Sequence, residues 1–402
     1  AKTHVDSYVA QLDDVVDVVF GGSFAKGTWL PGHADIDIFV KIKPSVGIEK
    51  FEEMGREIGS EALKSYGPKL RYSDHPYVEV FVKKVRVNVV PCYDVEQGKW
   101  QSAADRSPFH TRYISSNLDD EKRRQARLLK KFFKSVGIYG AEISTEGFSG
   151  YVSEVLVLRY SSFENVLLAV ADWQERQIIA VSDYDSDFVK ASNGPLIIID
   201  PVDRRRNLGT AISPQSVAKF MLAARAFLEK PSLEFFKEGK SHRRGARKLL
   251  LPNVLVVEFS HEKKSPDIIW GQLKRSINAI AKQFEVLRSS CVTDEKSSAA
   301  LAFLLESITL PAYTKKKGPQ IFRRKDTASF LSNRKKPLAI WVDREMRVVM
   351  LIERKATDAR KFVKSLLINH RENSGVSKDL IVNKLQIYSG SDRKIIKGLA
   401  KK

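Results

Sequence analysis

The chain has 402 residues, 43% of them hydrophobic and 29% charged, a composition that excludes intrinsically disordered and collagen-like proteins. At about 150 residues per domain, this length predicts two to four domains. Lys and Arg outnumber Asp and Glu by 68 to 48, giving a formal net charge of +20. This excess favours a polyanionic partner, with nucleic acid the first choice and an anionic membrane surface the second. A basic surface without a partner is the alternative.

Cysteine content and hydropathy indicate the cellular compartment of the protein. The 2 cysteines, Cys92 and Cys291, are too few for a disulfide framework or a metal cage. They are typical of a reducing compartment, so we expect a cytoplasmic protein. The first residues lack the apolar core of a signal peptide. The longest apolar stretch, 249–259, contains Pro252 and is too short to span a bilayer, so we expect no membrane partner.

The first hundred residues alternate between strand and helix patterns. β-branched runs and period-two alternation predict four strands, at 15–20, 35–40, 78–82 and 85–90. The spacing of apolar residues over 48–65 predicts an amphipathic helix. The last two strands form a predicted hairpin with a two-residue turn at Lys83 and Lys84, which lacks the usual Gly or Asn. In that register the numbers of paired residues sum to 167.

From about residue 119 the patterns become mainly helical. Apolar spacing predicts helices at 119–136, 151–170, 214–229, 267–288, 296–306 and 356–369. In the first of these, one apolar stripe contains Leu128, Leu129, Phe132 and Phe133. Shorter apolar runs predict strands at 196–199, 254–259, 338–342 and 347–352. The sequence therefore predicts an α+β protein with several domains.

Four basic runs are candidates for contact with RNA phosphates: 236–248, 315–317, 323–325 and 334–336. Each run alone is equally well explained as solvated surface. Several runs in one part of the chain favour nucleic-acid contact.

A glycine pair follows the first predicted strand. Gly21 and Gly22 allow close backbone approach to a ligand and present N–H groups to phosphate oxygens. Ser23 adds a hydroxyl and Lys26 adds a cation, and both suit a triphosphate. A Gly-Gly-Ser turn alone is weak support, since ordinary turns use the same residues.

The second strand carries two carboxylates at Asp35 and Asp37. Residues two apart on a strand point to the same face, so the carboxylates lie together and a cation between them relieves their repulsion. Mg²⁺ binds through one or two carboxylates plus substrate phosphates. A solvated edge strand is the alternative, and the apolar neighbours Ile36, Ile38 and Val40 argue against it.

These residues resemble the signature of polymerase-β-like nucleotidyltransferases, and downstream the similarity narrows to the archaeal (class I) CCA-adding enzymes. The narrower similarity rests on His75-Pro76-Tyr77-Val78, Val89-Val90-Pro91-Cys92-Tyr93, Asp105-Arg106-Ser107-Pro108-Phe109-His110, Gly137-Ile138-Tyr139-Gly140-Ala141-Glu142, Gly147-Phe148-Ser149-Gly150-Tyr151 and Asp200-Pro201-Val202-Asp203. It is dense from residue 20 to about 235 and thinner toward the end. That family adds C, C and A to the 3′ end of tRNA from CTP and ATP without a nucleic-acid template.

The resemblance implies an architecture of three parts. Residues 1–118 correspond to a nucleotidyltransferase head with a mixed or antiparallel sheet and helices. Residues 119–235 correspond to a helical neck that recognises the nucleotide and its base. Residues 236–402 correspond to an α+β body and tail that bind the tRNA acceptor arm. A homodimer is left open.

The resemblance also implies roles for individual residues. Asp35 and Asp37 match the metal-binding pair. Ser23, beside Gly22, and Lys26, often Arg in relatives, match triphosphate contacts. The other nucleotide-binding positions are His110, Lys130, Tyr139 and Arg206, the last matching an arginine that reads the incoming base. From chemistry alone, Lys130 is equally well explained as a solvated lysine, and Tyr139 is explained at least as well as a core residue. His110 by itself is better explained as structural and Arg206 as part of a charged surface run.

One position departs from the family. The third carboxylate of the catalytic and metal-binding set is replaced here by Asn88, and an amide is a poorer Mg²⁺ ligand that cannot accept a proton from an attacking hydroxyl. The predicted register sets Glu79 opposite Asn88, which makes Glu79 a candidate replacement. A weakened or inactive site is the favoured interpretation.

Three alternatives therefore remain. The first is a poly(A)- or oligoadenylate-type polymerase, and the second is a nucleotidyltransferase acting on a small molecule. The third is a catalytically silent RNA-binding protein on the same scaffold, an interpretation that Asn88 supports. The basic excess argues against the small-molecule acceptor.

Overall fold

The computed structural model describes residues 1–32, 35–72, 75–238, 249–332, 337–369, 375–376, 380 and 383–390. The chain divides into two compact units, residues 1–240 and 241–402. Among the described residues, no helix is both long and apolar enough to cross a membrane. Most of the predicted basic strip 236–248, and the run 334–336, lie outside the described residues.

The first unit begins with a five-stranded mixed sheet in the order β1-β2-β5-β4-β3. Its strands are β1 (Val15–Gly21), β2 (Asp35–Ile42), β3 (Lys69–Tyr72), β4 (Pro76–Val82) and β5 (Val85–Tyr93). β2 and β5 run parallel, and the other neighbouring pairs are antiparallel. The four predicted strands and the register that sums to 167 are confirmed. The hairpin turn places Lys83 and Lys84 at positive φ, 48° and 69°, which is the left-handed conformation of a two-residue turn.

Four helices accompany this sheet: α1 (Lys2–Val9), the single turn α2 (Gly22–Ala25), α3 (Ile48–Ala62) and α4 (Arg106–Asn117). One apolar core joins side chains of α1 and α3 to alternate residues of the strands, among them Val5, Phe51, Ile38 and Val87. Asp35, Asp37 and Asn88 lie in the alternate positions of β2 and β5. Helices α1 and α3 thus cover one face of the sheet and leave these polar residues on the other.

The helical part of the first unit contains α5 (Asp120–Val136), α6 (Gly150–Tyr160), α7 (Phe163–Ala171), α8 (Ser186–Ala191) and α9 (Pro214–Glu229), with two short parallel strands, β6 (Gln177–Ile179) and β7 (Leu196–Ile198). The single helix predicted at 151–170 is wrong. Ser161 has φ +74° and ends α6, and the Ser162 side chain accepts a hydrogen bond from the Asn165 N–H to begin α7.

Aromatic side chains form the core of this helical part. Phe132, Phe133, Phe148 and Phe220 are fully buried in it. Leu128, predicted on the same stripe, is 38% exposed, because it lies at the edge of the helix face that the core covers.

The second unit contains a four-stranded sheet in the order β14-β8-β10-β9 and a three-stranded sheet in the order β11-β13-β12. The strands are β8 (Val254–Ser260), β9 (Arg288–Thr293), β10 (Ser298–Leu304), β11 (Tyr313–Gln320), β12 (Ala339–Val342), β13 (Arg347–Glu353) and β14 (Asn383–Ser389). The helices are α10 (Pro266–Ala281), α11 (Arg324–Ser332) and α12 (Ala359–Asn369).

Two sequence predictions in the second unit are wrong. The helix predicted at 296–306 is strand β10, because pairing with β8 on one side and β9 on the other overrides the helix preference of its Ala and Leu residues. The helix predicted at 267–288 ends at Ala281, and its last residue belongs to β9. The α+β multidomain class is confirmed, and the first unit contains the predicted mixed sheet.

Candidate active site

A cleft in the first unit has three sections that share lining residues. Two sections of about 530 and 850 Å³ share Ala141 and Ser149. The larger of these shares Ala103 and Ser107 with a third section of about 360 Å³. The cleft is therefore continuous, and it runs past the open face of the head sheet.

The carboxylates of β2 line this cleft. The parallel pairing of β2 with β5 sets Asp35 beside Arg86 and Asp37 beside Asn88. Arg86 donates a hydrogen bond to Asp35, and Asn88 Nδ2 donates to Asp37 Oδ1 at 2.9 Å. Each carboxylate thus meets a donor on β5, one charged and one neutral.

Asp37 is the more perturbed of the two. Burial raises the pKa of Asp37 above its ordinary value, the hydrogen bond from Asn88 opposes this rise, and the nearby charge of Asp35 adds to it. A divalent cation between the two carboxylates would remove this repulsion. The donor set, two carboxylates with phosphate oxygens still to be supplied, fits Mg²⁺. No group of three or more His, Cys, Asp or Glu side chains within the described ranges is arranged to hold a metal ion.

Glu79 lies opposite Asn88, as the predicted register requires. Its carboxylate is buried, and Arg71 donates to Oε1 from both Nη2, at 2.8 Å, and Nε, at 3.1 Å. Arg86 Nη1 lies 4.0 Å from the other oxygen. Because two arginines already compensate this charge, Glu79 is poorly placed to replace a catalytic carboxylate.

The glycine pair lies directly against the carboxylates. Gly21 pairs with Asp37 across the β1–β2 ladder. Gly22 has φ +64°, and a Cβ on it would lie 1.9 Å from Asp37 Oδ2, so only glycine fits there. Ser23 follows and lines the same cleft section as Asp35 and Tyr139. The turn thus brings a hydroxyl beside the carboxylates of β2.

Lys26 and Lys130 lie beside the cleft in a buried cluster. Lys26 Nζ donates to Glu154 Oε2 at 2.5 Å, and Lys130 Nζ donates to Glu154 Oε1 at 2.7 Å. Thr28 donates its hydroxyl proton to Glu154, and Lys130 also donates to the Thr28 carbonyl at 3.1 Å. A Cβ on Gly150, which lines the cleft, would lie 3.5 Å from Lys130 Nζ, so this cluster adjoins the cleft wall.

The cluster carries an uncompensated positive charge. Complete burial would raise the pKa of Glu154, but the two lysines outweigh burial and lower it to about 2, so the carboxylate is ionised. Burial lowers the pKa of Lys130, against the attraction of Glu154. Two ammonium groups against one carboxylate leave a net charge of about one unit near Gly150, which favours an anion in the cleft.

A second buried carboxylate, Asp200, organises the largest cleft section. His110 Nε2 and Asp200 Oδ2 are 2.9 Å apart, and Arg206 Nη1 donates to the same oxygen at 3.2 Å. The Tyr151 hydroxyl donates to Oδ1 at 3.0 Å, and the Tyr151 ring stacks on His110 with 4.0 Å between ring centroids. Burial lowers the pKa of His110, which favours the neutral imidazole despite its contact with Asp200.

Tyr139 lines the section of about 530 Å³, near the Lys134 ammonium, which lies 5.8 Å from the ring centroid. Burial raises the pKa of Tyr139 to about 12, so its hydroxyl remains a hydrogen-bond donor at neutral pH. A Cβ on Gly150 would lie 3.0 Å from that hydroxyl. Tyr139 therefore faces the same wall as the buried lysine cluster.

Most of the predicted site residues fall into three groups along the cleft. Ser23, Asp35 and Tyr139 share one cleft section, Asp37 and Asn88 share another, and His110 and Arg206 share the largest. Lys26 and Lys130 instead lie in the buried cluster around Glu154.

Four residues of this site received no role from the sequence: Arg86, Tyr151, Glu154 and Asp200. Tyr151 and Asp200 lie in motifs that carry the resemblance. The alternation of β5 places Arg86 on the face of Asn88, so a strand pattern was an available signal. Glu154 lies inside a helix with a mainly apolar sequence, and one acidic residue in such a stretch is the signal that was available.

The mixed sheet, the Gly-Gly-Ser turn and the carboxylate pair together define a nucleotidyltransferase. Residues 5–114 match the family model of a nucleotidyltransferase domain, residues 124–237 that of the second domain of tRNA nucleotidyltransferase, and residues 252–390 that of the C-terminal domain of CCA-adding enzyme.

Similarity to curated proteins shows to which family the chain belongs. The CCA-adding enzyme of Pyrobaculum neutrophilum is 38% identical over 313 residues, which cover 75% of this chain and 72% of the relative. That of Saccharolobus shibatae is 37% identical over 360 residues, 88% of this chain and 84% of the relative. That of Pyrobaculum islandicum is 40% identical over 309 residues, 75% and 71% of the two chains. The chain belongs to the family of CCA-adding enzymes.

Proposed function

We propose that this chain is a tRNA nucleotidyltransferase that adds C, C and A to the tRNA 3′ end from CTP and ATP, with a chemical step impaired by Asn88. The observation that carries the proposal is one cleft that joins two strand carboxylates, a glycine turn and a buried excess of positive charge. Membership of the CCA-adding family supports the choice of tRNA as the acceptor.

The nucleotide is bound at two ends. Ser23 donates its hydroxyl to the triphosphate, and the net positive charge of Lys26, Lys130 and Glu154 attracts it. The base enters the larger section, where Arg206 presents N–H groups and His110 and Tyr151 offer stacked rings. Tyr139 orients the nucleotide between the two ends.

Asp35 and Asp37 would hold a Mg²⁺ ion, and Asn88 would contribute at most its neutral amide oxygen. Bound there, the ion would neutralise charge on the triphosphate and on the departing pyrophosphate. The tRNA 3′-hydroxyl attacks the α-phosphorus of the nucleotide, and the P–O bond to pyrophosphate breaks. The chain's own residues hold the two reactants in line and form no covalent intermediate.

Asn88 weakens the chemical step. A carboxylate at this position would accept a proton or share a cation, whereas the Asn88 amide donates a hydrogen bond to Asp37. Nucleotide binding depends mainly on other residues and is retained. Glu79 does not compensate, because Arg71 holds its carboxylate.

The body and tail, residues 236–402, bind the tRNA acceptor arm through contacts with its phosphates. Exposed cations lie on β11 at Lys315 and Lys317 and in the run 323–325, where α11 begins. Such contacts read the backbone and shape of an RNA helix rather than its sequence. The division into 1–118, 119–235 and 236–402, the homodimer and the cytoplasmic location remain predictions.

The test compares this chain with Asn88→Asp in single-turnover incorporation of CTP and ATP into tRNA lacking its 3′ CCA. We expect Asn88→Asp to add C, C and A at least about 100-fold faster, since a general base contributes that much or more. Glu79→Gln in the same background is the matched control, and we expect it to change the rate by less than about threefold, since its carboxylate lies outside the cleft chemistry.

Other outcomes identify the alternatives. If neither chain incorporates nucleotide but both still bind tRNA, the result would indicate an RNA-binding protein on this scaffold. A long A tail would indicate a poly(A)-type polymerase. Equal rates of C, C and A addition by the two chains would disprove the impairment by Asn88 but would support the proposed reaction.

A further inference from the structure

Two buried carboxylates join the head to the neck, one at each end of the nucleotide cleft. Glu154, on α6, binds Lys26 and Thr28 of the head and Lys130 of the neck. Asp200, after β7, binds His110 of the head and Tyr151 and Arg206 of the neck. Both are fully buried, with no exposed side-chain surface.

We propose that Glu154 and Asp200 are positioning residues with separate tasks, an inference that rests on the proposed function. Glu154 fixes the cations that receive the triphosphate, whereas Asp200 fixes the groups that surround the base. Neither carboxylate lines the cleft itself, so each acts through the residues that it holds.

The contacts of Glu154 leave its partners little freedom. Both of its oxygens are used, and all three Lys130 N–H groups have partners, on Glu154, the Thr28 carbonyl and the Thr28 hydroxyl. Arg127 Nη1 adds a contact to the Gly27 carbonyl at 2.6 Å. The turn that follows Ser23 is therefore tied to the neck by its backbone as well as by its side chains, and the cations are set before a ligand arrives.

The contacts of Asp200 are arranged around a different section. Its Oδ2 accepts from Arg206, whose side chain is 42% exposed, so the remaining guanidinium N–H groups are available to a base. Its Oδ1 accepts from the Tyr151 hydroxyl and the Val202 N–H at 3.0 Å each. Removing this charge would free both Arg206 and the Tyr151–His110 stack while leaving the lysine cluster in place.

Tyr151 touches both clusters. Its hydroxyl binds Asp200, and Lys26 Nζ lies 5.3 Å from its ring centroid. The contact with Lys26 is made through an aromatic face rather than a hydrogen bond, so the two carboxylates are coupled weakly and can be separated by mutation.

The test uses the full chain and two probes, CTP and tripolyphosphate, which has no base. Their dissociation constants are measured by calorimetry with Mg²⁺ present. Glu154→Gln should weaken both probes by a similar factor, about tenfold, because Lys26 and Lys130 lose the carboxylate that holds them in place. Asp200→Asn should weaken CTP by about tenfold but change tripolyphosphate by less than about twofold, since its partners contact only the base.

Asp203→Asn is the matched control, since Asp203 lies in the same region but pairs with Arg106, at 2.8 Å. We expect it to change neither dissociation constant by more than about twofold. Should either main variant fail to fold, Thr28→Val and Tyr151→Phe remove one hydroxyl from the Glu154 and Asp200 clusters and should reproduce the two patterns on a smaller scale.

The outcomes separate the positioning roles from the proposed function. Parallel loss of both probes in both folded variants, or no change in either, would overturn the separate tasks. Failure of the unmutated chain to bind either probe would overturn the proposed function itself.

Discussion

The carboxylates of β2 and the two buried clusters around Glu154 and Asp200 are built in opposite ways. Asp35, Asp37 and Asn88 lie on adjacent strands and are partly exposed, so backbone register alone places them. Glu154 and Asp200 are fully buried, and they hold side chains that come from up to 128 residues away. The first arrangement leaves room for a cation, whereas the second fixes charge in advance.

This difference has an energetic reason. A partly exposed carboxylate keeps some hydration and can exchange one partner for another at low cost. A buried carboxylate loses its hydration, so removing a partner leaves an uncompensated charge that is expensive to keep. The residues that must change partners during a reaction are therefore at the surface of the cleft, and those that must stay still are beneath it.

The largest effect is expected at Glu154. Replacing Glu154 by Gln leaves two buried lysines without a carboxylate, and we expect a loss of about 3–5 kcal/mol in the free energy of unfolding at pH 7. The carboxyl pKa is lowered from 4.5 to about 2, so this contribution is complete above pH 4.5 and disappears as the pH falls toward 2. Denaturant unfolding at several pH values measures it.

Glu164→Gln is the control, since Glu164 is an exposed carboxylate in the first turn of α7. We expect a change within about 0.5 kcal/mol at every pH. If the difference in free energy of unfolding between the Glu154 variant and the unmutated chain stays constant from pH 7 to pH 3, the Glu154 carboxylate is not the ionised group assigned here.

The next effect is expected at the catalytic end. Gly22→Ala, tested in the Asn88→Asp background, should lower nucleotide incorporation about 100-fold, because the new Cβ displaces Asp37 from its position. Gly67→Ala is a matched control, since Gly67 has nearly the same φ, +65°, but a Cβ there would meet no atom of the described residues within 4 Å. Both variants should lose about 1 kcal/mol of stability from backbone strain. Equal activity in the two would show that Asp37 tolerates displacement.

The smallest effect concerns the stability of the catalytic end. Asn88→Asp replaces a donor to Asp37 by a third carboxylate, so we expect a loss of about 1–2 kcal/mol in the absence of divalent cations. Millimolar Mg²⁺ should restore this stability by binding the folded form, and it should stabilise the unmutated chain less. Thermal unfolding in EDTA and in Mg²⁺ compares the two. Identical midpoints under both conditions would argue against a cation site at Asp35 and Asp37.

The same contrast explains which parts of the fold could be predicted. The strands and hairpin of the head follow from local alternation, and the register that sets Glu79 opposite Asn88 follows from a two-residue turn. Strand β10 could not be predicted, because its Ala-rich sequence favours a helix and only its two neighbouring strands decide otherwise. The break at Ser161 depends on a single residue at positive φ, which apolar spacing does not reveal.

For the site, prediction was limited by the distance along the sequence between residues that meet in the fold. Asp35 and Asp37 are two residues apart, so one strand reveals their shared face. The role of Glu154 depends on Lys26 and Lys130, which only the packing of α5 and α6 brings together. Resemblance to the family singled out both lysines but not the carboxylate between them.

Strand β10 also has a consequence for the order in which the second unit assembles. Its local sequence prefers helix, so the strand gains stability only after β8 and β9 are available on either side. β8 itself pairs with β14, whose residue Ile387 meets Val257 from the far end of the unit. Such long-range pairing makes folding slow, since the chain must close large loops before its contacts form. During synthesis, this sheet therefore forms only after β14 has emerged, while the first unit folds ahead of it.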